Sequence, residues 1–179
     1  NSDNLIINYT SMKNNSQGVN ITSSSNNNSV SNSNISTNNI YDIFCDASGS
    51  VYHHITNTTY NLSKEHVTSN SGCIIYRGWY NNFYVNGSNG TAVNNASIVV
   101  YDRFNSLVRN ITTNSSGFTG NLNITEYKNN VGSRTYYSNY TAFAYNNSYV
   151  GNASFNLTLE QNVLNRNITI SSGNFSAPN

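Results

Sequence analysis

The chain has 179 residues, of which 36% are hydrophobic and only 8% are charged, and its formal net charge is +1. Its eight Lys and Arg residues are scattered, so the sequence lacks the basic stripe with which proteins bind nucleic-acid backbones. Its apolar runs are too short to span a bilayer, so we expect no transmembrane segment. No signal peptide is visible, and a secreted chain of this kind is expected to be a mature form that begins at Asn1.

Strand-forming residues dominate the composition. Tyr, Ile, Val, Thr and Phe are frequent, whereas Ala and Leu are few, and no segment keeps a helical period. We therefore predict an all-β protein.

The first zone, residues 1–71, is rich in Asn and Ser and has only short apolar islands. A shift of about 24 residues superposes Asn14-Asn15 on Asn38-Asn39, Val19 on Ile43, and Ile6 on Val30. Short strands between Asn-rich turns resemble the right-handed β-helix repeats of archaeal surface proteins. Because only about two coils are covered and a free-standing solenoid needs about three, we expect a β-helix-like or strand-donating segment that packs on the rest of the chain or is completed by a neighbouring subunit.

Cys45 and Cys73 are the only cysteines in the chain. In an oxidising compartment we expect a disulfide between them, which would stabilise the fold by restricting the unfolded chain. The alternative is two separately buried thiols.

The second zone, residues 72–179, predicts a series of longer strands separated by Asn- and Gly-rich turns. The expected strands are Ile74 to Val85, Ala92 to Arg103, Leu107 to Thr112, Phe118 to Tyr127, Thr135 to Tyr145, Ser148 to Leu159, and Val163 to Ile170. Seven short strands at this spacing fit an immunoglobulin-like β-sandwich.

Two stretches of this zone, Val85 to Asp102 and Asn110 to Tyr127, resemble the immunoglobulin-like modules that follow β-helices in archaeal adhesin-like and surface-layer proteins. In both, a Gly-containing turn leads into a strand. The resemblance implies a fold and an extracellular compartment rather than an activity.

The tripeptide Asn-Xaa-Ser/Thr, the acceptor sequence for N-linked glycans, occurs nineteen times, whereas composition alone predicts about nine occurrences. The sequons begin at Asn8, Asn14, Asn20, Asn27, Asn34, Asn57, Asn61, Asn86, Asn89, Asn95, Asn110, Asn114, Asn123, Asn139, Asn146, Asn152, Asn156, Asn167 and Asn174. The alternative is an Asn-rich surface that produces sequons by accident, but the twofold excess favours a surface that carries sugar.

In twelve sequons the middle residue is apolar or aromatic. Because side chains alternate between the faces of a strand, the Asn and the Ser or Thr share one face and the middle residue occupies the other. In the run Asn152 to Leu159, Ala153, Phe155, Leu157 and Leu159 are expected to face the core and the four polar residues the solvent.

No set of residues predicts catalysis. Asp42 and Asp46 share a strand face but are too far apart for a carboxylate pair, so we expect solvated positions in turns. His53-His54 with Glu65-His66 is the only pattern typical of a metal site. Since adjacent histidines point to opposite faces, only one of the first pair could join His66, and we expect no metal and no cofactor.

Trp79 lies among Tyr76, Tyr80, Phe83 and Tyr84. Such a cluster packs in a core more often than it stacks on a sugar, although both uses are open from the sequence.

These observations predict a non-enzymatic structural subunit of an archaeal extracellular filament or cell-surface layer. Its expected partners are further copies of itself, joined head to tail, and covalent N-glycans. The alternative is an adhesin that recognises glycans or proteins on other cells.

Overall fold

A computed structural model describes residues 4–22, 26–49, 51–69, 71–173 and 176. Strands dominate these residues, so the all-β prediction is confirmed. Within this described part, the helical segments are the 3-10 turn Leu62–Lys64 and a four-residue helix α1, Leu157–Glu160. In these ranges no helix has the length and apolar character needed to cross a membrane.

The described residues form sixteen strands. They are β1 Ile6–Asn8, β2 Ser11–Lys13, β3 Gln17–Thr22, β4 Ser29–Ser31, β5 Asn34–Ser36, β6 Tyr41–Asp46, β7 Val51–Thr56, β8 Glu65–Val67, β9 Cys73–Gly87, β10 Ser97–Tyr101, β11 Leu107–Thr112, β12 Leu122–Asn130, β13 Ser133–Tyr136, β14 Tyr140–Asn146, β15 Tyr149–Phe155 and β16 Val163–Ser172.

The chain divides into two compact units. The first unit contains Asn1–Gly78 and Thr125–Tyr136, and the second contains Trp79–Ile124 and Tyr137–Asn179. The sequence predicts a division into 1–71 and 72–179, so the structure differs by placing Cys73–Gly78 and the later hairpin with the first unit. Strand β9 contributes residues to both units, which is why composition does not mark the boundary.

The first unit contains three parallel sheets, and each successive coil of the chain adds strands to them. One sheet has the order β1-β4-β7-β9, the second pairs β2 with β5, and the third has the order β3-β6-β8. Val19 pairs with Ile43, as the 24-residue shift predicts. Ile6 pairs with Ser29 rather than Val30, so in that sheet the paired residues are one position closer in the sequence than the shift predicts.

Asparagines form the corners between these strands. Asn27 and Asn57 adopt left-handed backbone conformations, with φ of 55° and 48°, which Asn tolerates better than most residues. Asn32 Nδ2 donates to Asn8 Oδ1 over 2.9 Å, and Asn57 Nδ2 donates to Asn32 Oδ1 over 2.7 Å. The side-chain amide of one Asn therefore bonds to the Asn at the same corner of the preceding coil. This repeated bond explains why the zone is rich in Asn.

The interior of the first unit is apolar and contains the disulfide. Val19, Ile43 and Ile55 are among its buried side chains. Cys45 on β6 and Cys73 on β9 are bonded to each other and fully buried. The predicted bridge is therefore present and links strands that lie 28 residues apart in the chain.

The hairpin β12–β13 returns to the first unit. Tyr127 pairs with Tyr136 and Asn130 pairs with Ser133, which leaves Val131 and Gly132 as a two-residue loop. Both loop residues have positive φ, 51° and 79°, as the twist of a tight hairpin requires.

The second unit is built on a sheet with the order β9-β16-β15-β14-β10-β11. The pair β9–β16 is parallel, and the other four pairs are antiparallel. Trp79, Phe83, Ile98, Tyr140 and Ile168 belong to its core.

Four predicted strands of this zone differ from the structure. Ala92 to Arg103 is shortened to Ser97–Tyr101, and Phe118 to Tyr127 is shifted to Leu122–Asn130. Thr135 to Tyr145 is interrupted before Tyr140, and Asn139 just before it has a φ of 79°. Ser148 to Leu159 ends at Phe155, because Asn156 caps helix α1 by accepting from Thr158 N. Leu159 is therefore 80% exposed, and its predicted core position is wrong.

Candidate functional site

The sequon asparagines lie on the outside of both units. Eighteen of the nineteen are described; fourteen of these are exposed, four are partly buried and none is buried. The partly buried ones are Asn57, Asn86, Asn146 and Asn156, and Asn174 lies outside the described residues. The amide nitrogens that would carry sugar therefore belong to side chains that reach the solvent.

Four described asparagines outside sequons are buried. They are Asn28, Asn38, Asn81 and Asn129, and none of them begins a sequon. Asn28 Oδ1 accepts from Leu5 N, and Asn38 Oδ1 accepts from Asn15 N, so these two amides stabilise the fold. The other thirteen described asparagines outside sequons are exposed or partly buried, so the distinction is that no described sequon Asn is buried.

The middle residues of the sequons point inward as strand geometry requires. Eleven of the twelve apolar or aromatic ones are described, and seven of these are buried. The buried ones are Ile21, Ile35, Ala96, Ile124, Tyr140, Leu157 and Ile168. Tyr9 is the clear exception, because its φ of 51° ends strand β1 and leaves the ring 81% exposed.

Sequons in turns hold their Asn by a local hydrogen bond. In four of them the Asn Oδ1 accepts from the backbone N–H of the Ser or Thr two residues later. These asparagines are Asn61, Asn89, Asn114 and Asn156. The bond is the Asx-turn for which Asn is favoured in loops.

Most acidic residues are inside the protein. Of the six described acidic residues, Asp42, Glu65, Asp102 and Glu126 are buried, whereas Asp46 and Glu160 are exposed. The solvated turn position predicted for Asp42 is wrong, because its carboxylate accepts from Asn38 Nδ2 over 2.9 Å and from Asn61 N over 2.9 Å. Asp46 accepts from the Thr68 hydroxyl at the surface.

Glu65 forms the centre of a buried polar network in the first unit. One carboxylate oxygen accepts from the hydroxyls of Tyr60 and Tyr127, each over 2.5 Å. The other accepts from Asn129 Nδ2 over 2.6 Å and from Arg134 Nε over 2.9 Å. The network joins the chain around β8 to the hairpin β12–β13.

Charges and rings surround this network. Arg77 contacts the buried Glu126 over 3.5 Å, and its guanidinium lies 4.7 Å from the centre of the Tyr60 ring. Burial, followed by the negative charge of Glu65, raises the pKa of the Tyr60 and Tyr127 hydroxyls, so both stay protonated and donate. The Glu65 carboxylate, which accepts from four donors, therefore connects residues that are distant in the sequence.

The sequence does not identify this network. Glu65 and Arg134 lie 69 residues apart, and the pairing of such distant residues depends on the hairpin returning to the first unit. No local signal marks the pair, because Glu and Arg are mostly exposed residue types and are buried only when they are paired.

The histidines and Glu65 do not assemble as one metal site. His53 is buried, whereas His54 on the opposite face stacks on Tyr76 with ring centres 5.4 Å apart. His66 stacks on Tyr41 at 4.8 Å, and Glu65 belongs to the polar network.

A different group contains His53. Its ring nitrogens and the Cys45 and Cys73 sulfurs can lie within 4.8 Å of one another, but the two sulfurs are bonded to each other. In the described part of the chain neither nitrogen of His53 has a hydrogen-bond partner. Burial, and then the neighbouring His54, lowers the pKa of His53 to about 4, so the ring is neutral in the folded protein near pH 7.

Trp79 is 2% exposed and belongs to the core of the second unit. The interpretation of this residue as a core side chain is confirmed, and the sugar-stacking alternative is wrong for Trp79.

No protein-family model matches the chain, and no curated protein is similar to it in sequence.

We expect Glu65→Ala to lower the free energy of unfolding by about 3 to 5 kcal/mol, because four buried donors lose their acceptor at once. Urea unfolding followed by circular dichroism measures the change. The control is Glu160→Gln, which alters a carboxylate whose side chain is 42% exposed and should cost less than about 1 kcal/mol. Equal effects of the two substitutions would show that the network contributes no special stability.

We expect the protein to lose stability as the pH falls from 6.5 towards 4. In this interval the unfolded chain binds a proton at His53 that the folded chain does not, so the free energy of unfolding falls by roughly 2 kcal/mol. Unfolding titrations across this range should show a shallower slope in His53→Leu. His66→Phe, which keeps an aromatic ring in the surface stack, is the control, and an unchanged slope in His53→Leu would contradict the assignment.

Proposed function

We propose that the protein is a heavily N-glycosylated structural subunit of an extracellular filament or cell-surface layer. The observation that carries the proposal is the division between asparagines: those in described sequons reach the solvent, and the buried ones lie outside sequons. A transferred glycan needs an accessible amide nitrogen and room for a bulky polar group. The chain supplies both at many places on its surface.

The distribution of charge supports a coat of neutral sugar. Only 8% of the residues are charged, and most of the described acidic ones are buried. The exterior therefore has little ionic hydration of its own, although an ordinary soluble surface depends on it. Glycans with many hydroxyl groups would hydrate this surface instead.

The proposal includes two finer assignments of fold. The first unit is taken as a short β-helix-like coil, supported by three parallel sheets whose strands recur every 22 to 25 residues. The second is taken as an immunoglobulin-like module, supported by its antiparallel strands and apolar core. An archaeal source rests on the sequence resemblance alone.

A structural role also agrees with the state of the acidic side chains. Sugar-cleaving enzymes need one carboxyl group to protonate the leaving group and another near it to act on the anomeric carbon or on water. Asp42 and Glu65 are instead buried and accept several hydrogen bonds from the protein itself. We therefore propose that the protein is not an enzyme.

The first turn of the chain offers a surface for assembly. In the described ranges, strands β1, β2 and β3 each pair on one side only. Ile6 is 72% exposed and Leu5 is 47% exposed beside it. A cavity of about 350 Å³ in this unit is lined by apolar residues that include Ile7, Met12 and Val19 and by polar ones such as Asn20 and Asn28.

A second copy of the chain is the proposed occupant. Strand β11 of the second unit pairs only with β10 among the described strands and exposes 55% of Leu107. A contact between β1 of one copy and β11 of the next joins unlike surfaces, so it does not close and produces filaments. Glycans on Asn8 and Asn110 would leave the edges of these strands accessible, because side chains project from the faces of a sheet.

We expect the native protein to have a mass well above 19.7 kDa, the mass of the polypeptide. Peptide mapping should place sugar on strand positions such as Asn152 and on turn positions such as Asn156. Asn152→Gln should lower the mass by one glycan, whereas Asn162→Gln, at an exposed Asn outside a sequon, should leave the glycan content unchanged. A native mass equal to that of the polypeptide would overturn the proposal.

We expect deletion of residues 1–25, which removes strands β1 to β3, to leave monomers where the native protein forms filaments. A finer variant is Ile6→Lys, because a charge on an exposed edge strand opposes pairing with another chain. Tyr149→Lys is its control, since Tyr149 is also exposed but pairs with Asn146 on one side and with Ser172 on the other. Electron microscopy and light scattering measure the outcome.

Filaments that persist after the deletion would reject this mechanism of assembly. Native material that is dispersed and monomeric would favour the adhesin alternative instead.

A further inference from the structure

Several sequon asparagines on strands lie directly beside an aromatic side chain of the next strand. The register pairs Asn20 with Phe44, Asn152 with Phe143, and Asn167 with Tyr84. Residues paired in this way share one face of the sheet and lie about 5 Å apart. The three pairs come from two different units, so they do not reflect one local repeat.

The rings beside these asparagines are partly open to solvent. Phe44, Tyr84 and Phe143 are all half-buried, whereas the asparagines Asn20, Asn152 and Asn167 are exposed. In each case the ring is therefore accessible from the same side as the amide nitrogen.

Two of the rings belong to clusters of aromatic side chains. Phe44 lies within 5.3 Å of Tyr41 and within 5.7 Å of His66, measured between ring centres, and the planes differ by 23° and 6°. The ring centres of Tyr84 and Phe118 lie 4.7 Å apart. Phe118 forms a β-bridge with Tyr84 on one side of β9, and Asn167 pairs with Tyr84 on the other side. Each cluster therefore contains more than one ring and borders the strand that carries the sequon.

A sugar ring suits such a surface chemically. The C–H groups of a pyranose carry a slight positive charge, and the face of an aromatic ring is negative. Contact also removes apolar area of both partners from water. Because the sugar is covalently attached one strand spacing away, little further entropy is lost when it settles on the ring.

We propose that the sugars linked to Asn20, Asn152 and Asn167 pack against Phe44, Phe143 and Tyr84, so that these glycans form part of the folded surface. The inference rests on the proposed glycosylation and adds to it the residues that hold particular sugars in place. Asn8 and Asn34 have no aromatic partner in register, because their neighbours are Ser31, and Ser11 with Thr59.

The test uses the native glycoprotein and begins with mapping of the occupied sites. Nuclear magnetic resonance of the attached sugars then reports ring contacts. Sugar C–H protons at Asn20 and Asn167 should be shifted upfield relative to those at Asn8 and Asn34. The shift at Asn20 should disappear in Phe44→Leu.

A double-mutant cycle supplies an independent measurement. Asn20→Gln and Phe44→Leu should be coupled in thermal stability when the protein is glycosylated, and the coupling should vanish after chemical deglycosylation. Asn34→Gln combined with Phe44→Leu is the matched control, since it removes a glycan remote in register from the ring, and it should show no coupling.

The outcomes separate the two proposals. If Asn8 and Asn34 carry sugar but those at Asn20 and Asn167 show no upfield shift and no coupling, the inference fails while the glycosylated surface stands. Coupling that survives deglycosylation would show a direct contact between Asn20 and Phe44 and would overturn the role of the sugar. If none of the sequons carries sugar, both proposals fail.

Discussion

The alternation of side chains between the two faces of a strand is the constraint on which this protein depends. A sequon covers three residues, so on a strand its Asn and its Ser or Thr face solvent while the middle residue faces the core. Ile21 and Ile35 in the first unit, and Ile124 and Ile168 in the second, fill cores in this way. A slip of one residue would bury two polar groups and expose a hydrophobe, so each such tripeptide also favours the native register.

Five of the few described charged residues are buried, namely Asp42, Glu65, Arg77, Asp102 and Glu126. Glu65 collects four hydrogen bonds, Arg77 contacts buried Glu126, and Asp42 holds a corner of the first unit. Buried charges that are fully paired tie distant segments together in one arrangement, whereas an unpaired one would be costly. The exterior is left to Asn, Ser and Thr, whose hydrogen-bonding groups are neutral and can be modified.

Glycans and strand pairing place different demands on a sheet, and the two demands are compatible here. A side chain projects from the face of a sheet, while backbone donors and acceptors project from its edge. A strand such as β1 can therefore carry a sugar on its face and still present its edge to another chain. The half-buried rings beside some sequons add a third use of the same surface, because they provide apolar contact where a bare sheet would offer only polar groups.

The sequence by itself determined the all-β class, the disulfide and the exposed positions of the sequon asparagines, because these depend on composition, on a single pair of cysteines and on a period of two along a strand. The alternation of a strand does not continue past Asn156, because this residue caps helix α1 and Leu159 is exposed. At Asp42 the carboxylate is buried, because it accepts hydrogen bonds from two amide groups. Only the tertiary structure decided which distant residues meet. The return of the hairpin to the first unit brings Arg134 to Glu65, and the register of neighbouring strands brings aromatic rings to some sequons and not to others. The 24-residue repeat in the sequence predicts the register that places Phe44 beside Asn20. The return of the hairpin and the pairing of β9 with β16 depend instead on how distant strands align in space, which no local pattern in the chain encodes.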